Sequence, residues 1–111
     1  MVAKVFLPQE TKRFDATRQA MVPAFDFSAA AQFGQLTTIL DQDDDPLFLA
    51  RITPKIRAAL SNFKDGDYFL AVGDPAVIAV CSGIIMLRHR KMNLLKWDRR
   101  LRLYVELEIT L

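Results

Sequence analysis

The clearest pattern in the chain lies near its end, where Leu101, Leu103, Val105, Leu107, Ile109 and Leu111 alternate with Arg102, Tyr104, Glu106, Glu108 and Thr110. A period of two predicts a half-buried strand with one face on a core and the other in water. The turn Asp98-Arg99-Arg100 makes this strand the second arm of an antiparallel hairpin over about residues 93–110, whose first arm is Asn93 to Trp97. Upstream, Tyr68 to Val72 is a continuous apolar run, the pattern of a strand covered on both faces. Gly73-Asp74-Pro75 follows, with Asp74 suited to an N-cap and Pro75 to the first helical turn. A helix from Ala76 to about Arg90 then separates the two strands, which makes them parallel and gives a β-α-β unit over about residues 67–97 with a right-handed crossover.

That helix carries Val77, Ile78, Val80, Cys81, Ile84, Ile85, Met86 and Leu87, and is apolar nearly all round. Either it is a central core helix or one side is sealed by another subunit. Its small residues Ala76, Ala79, Ser82 and Gly83 permit close packing.

Earlier in the chain, Val2 to Leu7 and Gln35 to Leu40 read as strands. The polar stretch Gln9 to Ala20 reads as an exposed loop or hairpin arm. Met21 to Phe27 reads as a further extended piece, which Pro23 places near an edge. Ser28 is an N-cap candidate for a short helix Ala29 to Phe33 that Gly34 stops. Thr53-Pro54 predicts the start of a surface helix of about ten residues, with Ile56, Leu60 and Phe63 on one stripe. Lys64-Asp65-Gly66-Asp67 is a turn. The class is α/β, with α+β as the alternative: a single two-layer domain over 1–111, a mixed sheet of about 4–5 strands and 2–3 helices.

Length fits one domain with a genuine core. With one cysteine and one histidine, Cys81 and His89, there is no disulfide framework, Cys-rich zinc site or two-histidine metal motif. Cys81 sits in an apolar run and reads as a small buried hydrophobe. Met1 to Pro8 lacks a cleavage pattern, and the longest apolar stretch, Ala76 to Leu87, is about half of what a bilayer needs. A cytoplasmic protein without a membrane span is expected.

Net charge is only +2, but it is unevenly spread. Residues 1–85 hold eight Lys/Arg against ten Asp/Glu, and residues 86–111 seven against three. The tail is therefore basic. Arg88, Arg90, Lys91, Lys96, Arg99, Arg100, Arg102 and Tyr104, with His89 and Trp97 among them, interleave cations with aromatics as a nucleic-acid surface would. The plainer alternative is a helix C-terminus carrying dipole-complementing cations, followed by a charged hairpin tip.

Two other candidates concern anions and metals. A strand end feeding a helix at Gly73 and Asp74 can hold an anion or place a carboxylate for a metal, although an N-cap aspartate followed by proline is also an ordinary structural turn. Asp41, Asp43, Asp44 and Asp45 with Asp65, Asp67 and Asp74 supply carboxylates for two-metal phosphodiester chemistry. None of these has diagnostic ligand spacing, so no catalytic residue, metal ligand or cofactor is assigned.

Three segments together carry a resemblance: Val22-Pro23-Ala24-Phe25-Asp26-Phe27-Ser28-Ala29-Ala30; Asp67 to Ile78; and Leu94-Leu95-Lys96-Trp97-Asp98-Arg99. The chain resembles, from about Lys4 to Glu108, a group of small uncharacterised proteins of marine tailed phages, including cyanophage-like genomes. The resemblance implies an accessory phage protein acting in a bacterial cytoplasm and brings no activity, ligand or catalytic residue. The reading favoured is a non-enzymatic interaction or assembly module, homo-oligomeric through the 76–87 helix or its neighbours, or bound to a host or phage protein. The alternative is a nucleic-acid binder using residues 88–104. A third reading is a metal-dependent phosphodiesterase around Asp74.

Overall fold

The computed structural model describes residues 2–10, 12–23 and 26–111. Among them the strands are β1 (Lys4–Gln9), β2 (Lys12–Asp15), β3 (Ala20–Pro23), β4 (Gln35–Leu40), β5 (Tyr68–Leu70), β6 (Lys91–Asp98) and β7 (Leu103–Thr110). The α-helices are α1 (Leu49–Leu60) and α2 (Pro75–His89). Five strands form a mixed sheet in the order β4-β1-β5-β6-β7, parallel throughout except for the antiparallel β6–β7 pair. β2 and β3 form a separate antiparallel arm. The expected architecture is thus present: a mixed sheet, parallel strands flanking α2, and a C-terminal hairpin. The expected extended piece at 21–27 falls partly on residues 24 and 25, which lie outside the described residues.

Strand alternation divides the core into two. Phe6, Ile39, Phe69 and Met92 point to one face, where Ile52, Ile56 and Leu60 of α1 and Val77, Cys81 and Ile85 of α2 close over them. Val5, Leu7, Leu70, Leu95 and Tyr104 point to the other face and meet Phe27 and Ala30. The helices therefore form a layer on one side, and a short 3-10 segment, Ser28–Gln32, covers part of the opposite side. Central β1 is buried through Val5, Phe6, Leu7 and Pro8. Pro8 cannot donate to the ladder and falls between the pairs Leu7↔Thr38 and Gln9↔Leu40.

Three local expectations change. The helix predicted from Thr53-Pro54 starts at Leu49, with Pro54 inside it. The operative start signal is Asp45-Pro46, where the Asp45 carboxylate accepts the Leu47 N–H at 2.9 Å and begins a 3-10 turn that runs into α1. Ser28 does not cap the short helix; its own N–H is instead held by Asp26. Finally, β5 is shorter than its apolar run, because Val72 N–H turns back to Leu70 O and Gly73 adopts φ +103° before α2.

Glycine 34 has a packing role rather than a conformational one. The Gln35 N–H donates to Ala3 O at 2.9 Å, and a Cβ on Gly34 would collide with that same carbonyl oxygen. The β1–β4 ladder can begin here only because position 34 has no side chain.

Candidate functional site

The C-terminal hairpin is organised by Asp98. Its Oδ1 accepts the Arg100 N–H at 2.8 Å and the Leu101 N–H at 2.9 Å, while Arg102 N–H donates to Asp98 O. Arg102 takes φ +55° to close the loop. Arg99, Arg100 and Arg102 are thereby presented at an exposed tip. Below it, Trp97 and Tyr104 pair across the strands edge to face with centroids 5.0 Å apart. Tyr104 is buried, and burial, then the charge of Asp26, raises its phenol pKa. Trp97 stays 45% exposed and lines a shallow concavity with Arg99 and Arg102.

The remaining basic residues lie elsewhere. Arg88 Nη1 donates to Leu60 O at 2.9 Å and ties the ends of the two helices together. Arg90 ends α2 in the left-handed region at φ +61°, and Lys91 opens β6. Lys91 and Asp98 stand at opposite ends of that strand, about 23 Å apart at 3.3 Å per residue. Lys96 pairs with Val105 on the helix-bearing side of the sheet, whereas Trp97 faces the other side. The basic run therefore forms two separate clusters, and only the tip holds Arg99, Arg100 and Arg102 beside an exposed aromatic ring.

Asp41, Asp44, Asp45, Asp65, Asp67 and Asp74 each have a partner. Asp74 Oδ1 accepts the Ala76 and Val77 N–H groups at 2.9 and 3.1 Å, so the Gly73-Asp74 turn supplies its own carboxylate to the α2 N-terminus. Lys55 Nζ bridges Asp41 and Asp44 at 2.9 and 2.8 Å. The Lys55 and Asp41 bonds hold the Asp44 carboxyl below its ordinary range, and the Asp44 and Asp41 bonds push Lys55 up to about 12. Asp67 is buried and accepts the backbone N–H groups of Lys4 and Lys64. Asp65 meets His89 Nδ1 at 3.0 Å. Among the described residues, no three His, Cys, Asp or Glu side chains gather as a metal site. Burial pushes the Cys81 thiol up to about 12, which leaves it un-ionised near neutrality.

The largest departure from expectation concerns the faces of α2 and β7. The outer side of α2 carries Ala76, Ala79, Gly83 and Leu87. Three small residues leave little apolar area in water, so most of that side needs no cover. In β7 the alternation is present, but its apolar side is not buried as expected. Leu103, Leu107 and Ile109 are 43%, 42% and 36% exposed, while Tyr104 from the polar set is buried. Ile109 pairs with Met92, which lies under the helices, so the apolar face of β7 looks to the helix side of the sheet. The helix layer ends before it reaches that outermost strand. The alternation was legible in the sequence; the position of β7 beyond the helices was not.

The backbone of β7 is also open. Leu111 N–H donates to Arg90 O, and the β6–β7 register opposes those two residues. Hydrogen-bonded pairs recur every second residue in an antiparallel ladder. The odd residues 103–109 therefore turn their peptide groups to β6, and those of Tyr104, Glu106, Glu108 and Thr110 point outward.

Among the described residues, no helix is long and apolar enough to cross a membrane. A family model described as "Phage Pam3 gp32-like protein" matches residues 3–111. No curated protein and no solved structure matches the chain.

Proposed function

The chain belongs to the Phage Pam3 gp32-like protein family, and we propose that it is a non-enzymatic interaction and assembly module of the bacterial host cytoplasm whose contact surface is β7. The observation that carries this reading is an eight-residue edge strand with an open backbone and an apolar face that no helix covers. Such an edge is a template for strand addition, and proteins that keep it unpaired usually blunt it with prolines, bulges or inward charges. β7 has none of these on its apolar face, where Leu103, Val105, Leu107 and Ile109 follow one another. Strand pairing would give affinity, and the apolar side chains would give register and specificity.

The double variant L103K/L107K tests the reading. It should abolish association, with itself or with other phage or host proteins, while leaving the far-ultraviolet circular dichroism unchanged. Association undiminished in a folded L103K/L107K chain would rule β7 out as the contact surface.

A second reading is supported by the tip. Exposed Trp97 between Arg99 and Arg102 suits a stacked base with its phosphates, so a single-stranded nucleic acid is the alternative partner. Its affinity would fall steeply with salt and be lost in R99E/R102E. Binding that ignores both changes would dismiss this partner.

A further inference from the structure

We infer that the crevice between the C-terminal ends of β1 and β5 binds a small aromatic cation, a single flat ring carrying an amidine or amine. This site is independent of the β7 surface. Topology creates it. In the order β4-β1-β5-β6, the chain leaves β1 toward β4 on one side and leaves β5 through α2 toward β6 on the other. Neither connection crosses the gap between the two strand ends, which is where open parallel sheets leave a ligand crevice. Here the gap is a cavity of about 240 Å³.

Its walls decide the size and shape of the occupant. Val77 lines the cavity from the helix-bearing face and Phe27 from the opposite face, and Pro8, Pro46 and Val72 complete an apolar lining. Two proline rings and a phenyl ring offer flat surfaces to a flat ligand. An apolar cavity of about 150 Å³ is enough for benzene. Pockets for drug-sized molecules begin at about 300 Å³. The volume therefore suits one ring with a short substituent and is too small for a nucleotide.

The polar groups decide the charge. The polar side chains of the lining are Gln9 and Asp74, and no lysine or arginine is among the lining residues. Every side-chain or helix-end donor nearby is already engaged. Gln9 Nε2 donates to Asp41 O at 2.6 Å and to Asp44 O at 2.8 Å. The Ala76 and Val77 N–H groups go to Asp74 Oδ1, and Pro75 has no N–H to offer. An anion at this turn would find no donor there. What remains are acceptors: among the described residues, Gln9 Oε1 and Asp74 Oδ2 receive no protein donor, and Asp74 has no ion-pair partner. The adjoining groove, which shares Gln9 and Pro46, sets Glu10, Asp43, Asp44 and Asp45 against Lys12 alone. An apolar ring bearing N–H donors and a positive charge answers all of these features at once.

The test is a titration of the full chain by amide NMR with benzamidine, alongside benzoate (the same ring with an anion) and acetamidine (the same cation without a ring). Benzamidine should give saturable shifts at Gln9, Val72, Gly73 and Val77, and the other two should not. Asp74→Asn keeps the helix cap, because its carbonyl still accepts the Ala76 and Val77 N–H groups. It replaces the free carboxylate oxygen with a donor, so benzamidine should bind about tenfold more weakly at unchanged circular dichroism. Val72→Phe, which fills the cavity, should remove binding; if that chain fails to fold, Asp74→Asn still decides. No saturable shift with benzamidine, shifts centred elsewhere, equal binding of benzoate or acetamidine, or wild-type affinity in Asp74→Asn would each overturn the inference.

Discussion

Lys55 joins the acidic loop to α1 through a single ammonium, and its contribution depends on pH at both ends of the scale. Asp44 has its carboxyl lowered from the ordinary 3.8 by the Lys55 hydrogen bond and then the Asp41 N–H, so its contribution is present above that ordinary value and is lost as pH falls through the lower, folded one. Lys55 is raised from 10.5 to about 12, so its contribution is present below 10.5 and lost as pH rises through about 12. We expect Lys55→Met to lower the urea midpoint by a constant margin between about pH 5 and 9, with the margin closing in acid below the ordinary carboxyl value of 3.8. A margin that persists in acid would show that the loss is one of packing. Asp41 to Asp45 were visible in the sequence as an acidic cluster. Their lysine was not, because residue 55 comes to them only when α1 folds back over β4.

At the scale of elements, α1 carries a conflict that its neighbours override. Pro54 sits inside the helix, has no N–H for the turn behind it, and crowds the carbonyl four residues earlier. Thr53 Oγ1 meanwhile bonds Leu49 O at 2.7 Å. The helix persists because Ile52, Ile56 and Leu60 are all buried against the sheet and α2. Replacing Pro54 with alanine should raise stability by about 1–3 kcal/mol, read from denaturant unfolding; an unchanged or lower midpoint would contradict this account. Asp45-Pro46, which begins the turn leading into α1, has the same cap-then-proline form as Thr53-Pro54. Local chemistry could not rank them. Burial of Ile52, which the later start would leave out of the helix, did. The N-cap at Asp74 was legible from the outset, since its partners are the N–H groups of Ala76 and Val77, two and three residues along the same chain.

For the whole molecule, the decisive feature is that the helix layer is narrower than the sheet. Two leucines on neighbouring strands measure this. Leu95 is fully buried among Val5, Leu7, Leu70 and Tyr104, whereas Leu107 is 42% exposed at the edge. Leu95→Ala should cost about 2–5 kcal/mol. Leu107→Ala should cost less than about 1 kcal/mol in dilute, monomeric chain. Equal costs in urea unfolding would mean that β7 is covered. Strand geometry also divides the basic tail in space: an eight-residue strand holds Lys91 and Asp98 apart, and pairing sends Lys96 and Trp97 to opposite faces.

By itself the sequence determined what depends on neighbours along the chain. The alternation of β7, the Asp98 turn, the capped start of α2 and the parallel relation of β5 to β6 all follow from period, turn chemistry and connection length. The tertiary structure alone decided which strand became the edge, how far the helices extend across the sheet, and which face of each element meets water. Those outcomes depend on strand order, and strand order is set by pairings between residues far apart in the chain. The hairpin's apolar alternation therefore predicted a strand with one apolar face, and only the fold showed that the helix layer leaves that face largely exposed.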